Sequence, residues 1–506
     1  MGGALSGIMG MAASPESPFC MPFLSWFWMV PWLYGIQNAS DKHRVFSGLI
    51  LFFFYKVHDN FSGVYSAVSI LKTGNILSFI ITSLFFLPYA LPFILIGILL
   101  PFFRNFKAAD LAAFISIAVF AFHWTPMVFP ITPAVMLAHY PRAIQIADIG
   151  GIPIIDFLLM LINMLILLTI IRIQKKRRCL AIMFCLAVTS LIIFVYGTWR
   201  IKQFESASGI STVQVGLAQP DLPHHIGISG LISRHQRRPL SALDLSESLV
   251  DKTGSDKIDL IIWPEISEGV LCDDSGKVSQ ILKTFTEKNG SAVIYNCRRC
   301  DSDSIEDKEC NRSARFVKAD GDVFGLYDKR ALVPYVEALP INMIHKLIKP
   351  LIPVTGKLLR GNNAVVFPLT EMAGIIPLIC YDALFPEFVR EGVQKGGTII
   401  VVMANNALFG KSNIAALDFA LNIYRAVEFK KPMARVSNSG PSGLVDATGR
   451  IIPGSLTKIF EKDAGIGRLK LNAYQTVYAK HGDWFLGGIT FFFIYYLIYH
   501  LLRRRK

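Results

Sequence analysis

The chain has two patterns of hydrophobic and polar positions. Residues 1–210 consist mostly of long apolar runs, whereas residues 211–475 mix apolar and polar positions as a globular domain does. A helix needs roughly 20 apolar residues to cross a bilayer. Runs that approach or exceed this length predict membrane-spanning helices at residues 19–36, 45–57, 75–103, 108–130, 152–171, 179–198 and 484–502. The 45–57 run is short and extends toward residue 71, and residues 3–13 are left open as a further span.

Residues 211–475 alternate between short β-branched segments and segments with helical periodicity. Strands are predicted at 212–218, 258–263, 291–296, 315–319, 375–380, 398–403 and 433–437. Helices are predicted at 240–252, 277–289, 386–395 and 414–430. This alternation predicts a layered α/β domain whose helices cover the sheet faces. The expected organisation is a transmembrane helical domain over residues 1–200, the α/β domain over 211–475 and a C-terminal transmembrane helix over 484–502.

Composition and charge place this organisation in a membrane. Hydrophobic residues make up 52% of the chain, charged residues only 17%, and the mean hydropathy is +0.44, which excludes an ordinary soluble protein. Basic clusters at 42–44, 104–107, 172–178 and 503–506 fall in alternate connections, so we expect them to face the cytoplasm and the 211–475 domain to face the other side. These clusters account for the net charge of +14, and no nucleic-acid partner is predicted.

Three segments of the α/β domain carry a carboxylate, an amine and a thiol. Cys380 ends a predicted strand shortly before a predicted helix, and such a turn exposes a nucleophile. A lone cysteine is more often structural, but its partners favour the reactive interpretation. Glu265, at the end of another strand, would exchange the thiol proton, with Glu268 as the alternative carboxylate. Lys329 would stabilise an oxyanion, and Glu337 would orient Lys329 or share in the proton transfer.

Eight cysteines need an explanation. Cys20, Cys179 and Cys185 lie in or beside predicted spans and are interpreted as apolar core residues. The others apart from Cys380 are Cys272, Cys297, Cys300 and Cys310. The Cys-x-x-Cys pair has no matched second pair, so disulfides are favoured over zinc, with the pairing left open. No metal and no cofactor are predicted.

The combined motifs resemble a known family. Trp263–Pro264–Glu265, Tyr327–Asp328–Lys329, Leu332–Val333–Pro334 with Glu337, and Ile379–Cys380–Tyr381 resemble the nitrilase (carbon-nitrogen hydrolase) superfamily and its Glu-Lys-Cys triad. The membrane segments, together with residues 405–410 and 437–440, narrow the resemblance to the apolipoprotein N-acyltransferase family of the Gram-negative inner membrane. The resemblance implies an α-β-β-α sandwich beside a membrane helical bundle, with the sandwich in the periplasm.

The same resemblance implies a reaction. Cys380 would take an acyl chain from a phospholipid, typically phosphatidylethanolamine, and the thioester would pass it to the α-amine of a diacylglyceryl-cysteine on an apolipoprotein. Glu265 would act as base and then acid, and Lys329 as oxyanion partner. Glu337, Tyr381 and Asp382 would support the site. The family commonly has glutamate at the Asp382 position, so the carboxylate here is one methylene shorter.

Two alternatives for the function and two lipid-facing features remain open. A membrane-tethered amidase acting on small soluble amides would use the same triad, whereas a non-catalytic scaffold would not need all three residues. Leu408 and Phe409 are predicted to form the tip of a lid. Residues 341–351 predict an amphipathic helix that either lies in the bilayer interface or packs on the domain core.

Overall fold

The structure is a computed structural model. It describes residues 1–69, 75–103, 108–206, 211–222, 241–254, 256–265, 272, 276–300, 309–334, 337 and 357–504. Glu268 and the predicted amphipathic segment 341–351 lie outside the described residues. The chain divides into two compact units, one formed by Met1–Ser62, Phe79–Ser206 and Thr476–Lys506 and the other by Gly63–Ser78 and Ala207–Gln475.

The N-terminal part of the chain is helical. Its described helices are α1 (Gly2–Ala13), α2 (Val30–Ile36), α3 (Asp41–Phe52), α4 (His58–Ser69), α5 (Asn75–Leu99), α6 (Ala108–Trp124), α7 (Pro141–Ile144), α8 (Ala147–Gly150), α9 (Ile152–Gln174) and α10 (Leu180–Glu205). Two helices near the C-terminus span Val477–His481 and Trp484–Arg504. Among the described residues, α5, α9 and α10 are long and apolar enough to cross a membrane. The protein is therefore a membrane protein.

The prediction of one spanning helix over residues 19–36 is wrong. The structure has a 3-10 turn at Pro22–Trp26 and then the short helix α2. Each of these elements has a proline in its first turn, and proline starts a new helix more readily than it continues one. By contrast, the short run at 45–57 does extend: α3, a π turn at Phe53–Val57 and α4 follow one another without a gap.

Two sheets organise the second unit. The described strands are β1 (Thr212–Gln219), β2 (Leu260–Ile262), β3 (Ala292–Cys300), β4 (Glu309–Val317), β5 (Val323–Asp328), β6 (Lys357–Leu359), β7 (Phe367–Pro368), β8 (Gly374–Ile379), β9 (Ile399–Ala404), β10 (Met433–Ser437), β11 (Gly443–Val445) and β12 (Asp463–Lys470). The first sheet has the order β12-β1-β2-β3-β4-β5, with β6 paired to β4, and the second has the order β11-β10-β9-β8-β7. β1, β2 and β3 are parallel, as are β8, β9 and β10.

The sheets pack face to face and helices cover their outer faces. Alternate residues of both sheets, such as Ile262 and Val401, are fully buried in the shared core. Leu249 of α11 (Ser241–Thr253) and Phe285 of α12 (Lys277–Asn289) pack on the outer face of the first sheet. On the second sheet, α13 (Pro386–Gln394) contacts β8 and α14 (Ile414–Phe429) contacts β10. This arrangement confirms the expected α-β-β-α sandwich.

One predicted strand is displaced. The segment predicted as 315–319 begins earlier, at Glu309, and ends at Val317. The residues that follow form a turn in which the Gly321 N–H donates to the Lys318 carbonyl. Gly321 has a φ of 87°, which glycine adopts without a Cβ clash, so the chain reverses there and returns as β5.

Candidate active site

Cys380 lies where β8 ends and a 3-10 turn, Cys380–Leu384, leads toward α13. This is the predicted strand-to-helix position. Its φ is 51°, in the left-handed region that costs a non-glycine residue about 1–3 kcal/mol. Its side chain is only partly buried, unlike the neighbouring Ile379. The turn therefore presents the sulfur at the carboxyl edge of the parallel strands.

Glu265 and Lys329 meet at this edge. Glu265 follows β2, and its N–H donates to the carbonyl of Ala404 at the end of β9, which ties the two sheets together. Lys329 follows β5, and its Nζ donates to Oε1 of Glu265 at 3.0 Å and to Oε1 of Glu337 at 2.9 Å. Both Glu265 and Lys329 are at most 2% exposed. The structure thus brings three of the predicted site residues into one hydrogen-bonded group.

Glu337 is fixed by the chain segment that carries it. Its Oε2 accepts a hydrogen bond from the Val333 N–H at 2.9 Å, and its own N–H donates to the Val333 carbonyl. The other oxygen is thereby free to receive Lys329. The predicted role of Glu337 in orienting Lys329 has this contact as its geometric basis.

Arg312, which the sequence analysis did not select, also belongs to the group. Its Nη1 donates to Oε1 of Glu265 at 2.7 Å and to Oε1 of Glu337 at 3.0 Å. Two cations and two carboxylates therefore alternate around one centre. The period of two along β4 could have identified it, because Arg312 shares the core-facing side of the strand with Ala314 and Phe316.

The surroundings of Glu265 and Cys380 shift the pKa values of these two residues in opposite directions. Burial acts to raise the pKa of Glu265, but Lys329 and Arg312 outweigh it and lower the pKa to about 2. Burial, followed by the charge of Glu265, raises the pKa of the Cys380 thiol well above its usual value, while Lys329 acts to lower it. At neutral pH the resting site therefore holds an ionised Glu265 beside a protonated thiol.

Asp382 forms hydrogen bonds that join the turn beginning at Cys380 to the chain segment around Lys329. Its Oδ1 accepts from the N–H groups of Arg330 and Ala331, at 3.1 and 2.7 Å, and its Oδ2 accepts from the Tyr327 hydroxyl at 2.8 Å and the Ile379 N–H at 3.1 Å. Burial raises the pKa of Asp382 to about 6. The shorter aspartate side chain thus reaches both the residues before Cys380 and those that flank Lys329.

The remaining predicted residues are Tyr381, Leu408 and Phe409. Tyr381 is 7% exposed, and its ring packs edge-on against Phe385 with centroids 5.2 Å apart. Leu408 and Phe409 belong to a 3-10 turn, Ala407–Phe409, and both are half-buried. A glycine, Gly410, follows this turn with a φ of 57°.

A second buried ion pair acts electrostatically on the thiol. Nη2 of Arg435 donates to Oδ2 of Asp418 at 2.5 Å, and Nδ2 of Asn406 donates to the same oxygen at 3.2 Å. The charge of Asp418 contributes to the raised pKa of Cys380. Asn406 thus donates to the Asp418 carboxylate, which an acid at this position would repel.

Four cysteines, three of them in the first sheet, form two disulfides. Cys272 pairs with Cys297, and Cys300 pairs with Cys310. This confirms the prediction that these residues form disulfides, and it settles the pairing that the sequence left open. Among the described residues, no cluster of His, Cys, Asp and Glu suited to a metal ion is present.

Comparison with known proteins agrees with this architecture in both parts of the chain. A profile described as carbon-nitrogen hydrolase matches residues 237–478, and one described as apolipoprotein N-acyltransferase N-terminal domain matches residues 6–165. The chain belongs to the apolipoprotein N-acyltransferase family of the nitrilase superfamily.

Individual family members named apolipoprotein N-acyltransferase are similar along different lengths. The protein of Thermotoga maritima is 24% identical, with 95% of this chain and 90% of that protein aligned. The protein of Geobacter metallireducens is 26% identical over 68% of this chain, and that of Rickettsia bellii is 28% identical over 63%. The chain spans 64% of the Geobacter protein and 61% of the Rickettsia protein.

A solved structure is also similar to part of the chain. An amidase from Nesterenkonia sp. aligns with a TM-score of 0.36 and 17% identity, covering 54% of this chain and 95% of the amidase. Apolipoprotein N-acyltransferase family membership rests on the profiles and relatives above, which include the membrane part of the chain.

Proposed function

We propose that this chain transfers a fatty acyl chain from a membrane phospholipid to the α-amine of a diacylglyceryl-cysteine on an apolipoprotein. The observation that carries the proposal is the buried contact of Glu265 with Lys329 at 3.0 Å, electrostatically coupled to the partly exposed Cys380. The names of the family members support the acyl transfer, and the apolar helices support a lipid donor.

In the first half-reaction, Cys380 becomes acylated. Glu265 accepts the thiol proton while the sulfur attacks the ester carbonyl carbon, and the Lys329 ammonium stabilises the oxyanion that develops. The ester C–O bond then breaks, and Glu265 returns the proton to the departing glycerol oxygen. The products are a lysophospholipid and a thioester on Cys380. The raised thiol pKa makes this base necessary, because little thiolate forms without it.

In the second half-reaction, a neutral amine attacks the thioester carbonyl. Glu265 accepts the amine proton, the C–S bond breaks, and the proton returns to the sulfur, so the enzyme is regenerated. An amine succeeds over water only if the acyl-enzyme stays dry. Glu265 and Lys329 are both buried, so little water surrounds the charged groups of the site. This burial supports the requirement for a dry acyl-enzyme.

We further propose phosphatidylethanolamine as the preferred donor and the bacterial inner membrane as the location, with the sandwich facing the periplasm. The basic runs of the membrane part support this orientation. The two disulfides of the sandwich support it independently, because disulfides persist in oxidising compartments.

The central test is acyl-enzyme formation in the full-length protein in detergent. Incubated with phosphatidylethanolamine and no acceptor, the wild type is expected to gain the mass of one acyl chain, and Cys380→Ala is expected to gain none. Intact-mass spectrometry measures both. The control is Cys185→Ala, because Cys185 is free and exposed, contrary to the expectation that it is an apolar core residue. An unmodified wild type that hydrolyses small soluble amides would instead support a tethered amidase.

The turn carrying Phe409 provides a second prediction. We expect Phe409→Asp to slow acylation by long-chain phospholipid by roughly tenfold, because a charge on a half-buried apolar position opposes contact with acyl chains. Phe409→Leu, which keeps the apolar surface, should retain most of the rate. The rate of mass gain measures both variants. Equal rates for Phe409→Asp and wild type would show that this turn does not meet the acyl chain.

A further inference from the structure

A pair of arginines stands on one side of the antiparallel strands β3 and β4. Arg298 lies directly opposite Arg312 in the strand register. Because side chains alternate along a strand, Arg298 shares the inter-sheet side with Ala292 and Ile294, and Arg312 shares it with Ala314 and Phe316. Like charges placed directly opposite each other destabilise a strand pair. The pair therefore needs a compensating negative charge.

The carboxylates of the site compensate only one of the two arginines. Glu265 and Glu337 balance Lys329 and Arg312, all four being joined by the hydrogen bonds described above. Arg298 forms no ion pair and no side-chain hydrogen bond with any described residue, although its side chain is half-buried. Burial, followed by the charge of Arg312, lowers the pKa of Arg298 to about 10. Among the residues that the structure describes, one positive charge is therefore left over at the active site.

The ion pairs of Arg312 with described residues use only one of its three side-chain nitrogens. Both of its hydrogen bonds to described residues use Nη1, which leaves Nε and Nη2 without an acceptor in the described part of the chain. Arg312 as a whole is buried, with 8% of its surface exposed. The disulfide Cys300–Cys310 joins the same two strands two residues beyond the arginine pair and fixes their register.

We propose that Arg298 and Arg312 together bind the phosphodiester of the glycerophospholipid donor. Guanidinium groups match the oxygen geometry of phosphate, and a phosphodiester carries the single negative charge that Arg298 lacks. Only the glycerol backbone separates the phosphodiester from the acyl esters of such a lipid. Arg312 donates a hydrogen bond to Glu265, the proposed base for the reaction at the ester, so a phosphodiester at the arginines would lie near that reaction. The inference rests on the proposed function, because it assigns the headgroup position of the same substrate.

The test compares acylation of the full-length enzyme by two donors, phosphatidylethanolamine and a p-nitrophenyl ester of the same acyl chain, which has no phosphate. Arg298→Gln is expected to lower the acylation rate constant roughly 10- to 100-fold with the phospholipid, the usual range for a lost charged hydrogen bond. The loss with the neutral ester is expected to be at least tenfold smaller. Equal losses with both donors would overturn the proposal.

The controls address folding and charge. Donor selectivity is the ratio of the acylation rate constant with the phospholipid to that with the neutral ester. Arg298→Lys keeps the charge but loses the planar group, so its donor selectivity should fall between those of wild type and Arg298→Gln. Arg299→Gln changes the neighbouring residue, which faces the other side of the strand and pairs with Asp328 at 2.6 Å. Its donor selectivity should match that of wild type. A phospholipid-selective loss in Arg299→Gln as large as that in Arg298→Gln would contradict the assignment.

Competition separates this inference from the proposed function. sn-Glycero-3-phosphoethanolamine should slow wild-type acylation by the neutral ester, and Arg298→Gln should lose this inhibition. That result would support the arginine site even if phospholipid left the wild type unacylated, in which case the proposed donor alone would fail. Absence of competition in the wild type would overturn the arginine site. Equal inhibition by inorganic phosphate would identify a free-phosphate site instead of a lipid one.

Discussion

Glu265→Gln is expected to slow acylation of Cys380 by roughly 10²- to 10⁴-fold, the range for loss of a positioned general base. It should also make the thiol more reactive toward a small alkylating reagent. The charge of Glu265 raises the pKa of Cys380, and Lys329 lowers it. Removing the carboxylate charge leaves Glu337 as the carboxylate partner of Lys329 and lowers the pKa of Cys380, so more thiolate forms at a given pH. Catalysis and simple nucleophilicity should therefore change in opposite directions.

Two measurements on the same protein check this result. Intact-mass kinetics with phosphatidylethanolamine gives the acylation rate, and iodoacetamide labelling of the Cys380 peptide between pH 7 and 10 gives the thiol titration. The labelling curve of Glu265→Gln should lie at lower pH than that of wild type. Glu287→Gln, an exposed acid on α12, should change neither quantity. Acylation at the wild-type rate, with or without a shifted labelling curve, would remove Glu265 from the proton transfer.

The fold class could be predicted from the sequence because the pattern of each part is strong. The parallel strands β1, β9 and β10 are short apolar runs, and the structure places them within about a residue of the predictions. The strand β12 was missed because its sequence, Asp463–Lys470, contains two glycines and several charges. It is a strand because it pairs with β1 along its whole length. This strand thus forms because of its pairing with a distant segment, which the local sequence pattern does not predict.

The site was only partly predictable for a related reason. Motif spacing identified Glu265, Lys329 and Cys380, but the charge balance among them depends on Arg312, which arrives from a strand predicted in the wrong place. Once β4 is taken to begin at Glu309, its alternation points Arg312 into the core. Arg298 becomes its partner only through the antiparallel register of β3 and β4. Pairings between distant segments thus supply the information that single motifs lack.

Lys329→Met is expected to slow acylation by roughly 10²- to 10³-fold, as loss of one oxyanion-stabilising donor does. Methionine preserves much of the side-chain length but removes the charge. Because Lys329 acts to lower the pKa of Cys380, its loss should raise that pKa further and slow alkylation by iodoacetamide. This change is opposite in sign to that of Glu265→Gln, although both variants lose acyl transfer.

Lys329→Met should also destabilise the fold, and the size of the loss tests how the group shares its charges. Breaking a buried ion pair by removing one partner costs roughly 3–5 kcal/mol. Arg312 still donates to both Glu265 and Glu337, so we expect a loss near the lower limit, about 3 kcal/mol, in denaturant unfolding. Lys283→Met, on the exposed side of α12, should change stability little. A loss well above that range would mean that Arg312 does not hold the two carboxylates once the ammonium is gone. Alkylation at the wild-type rate or faster would mean that Lys329 does not lower the pKa of Cys380.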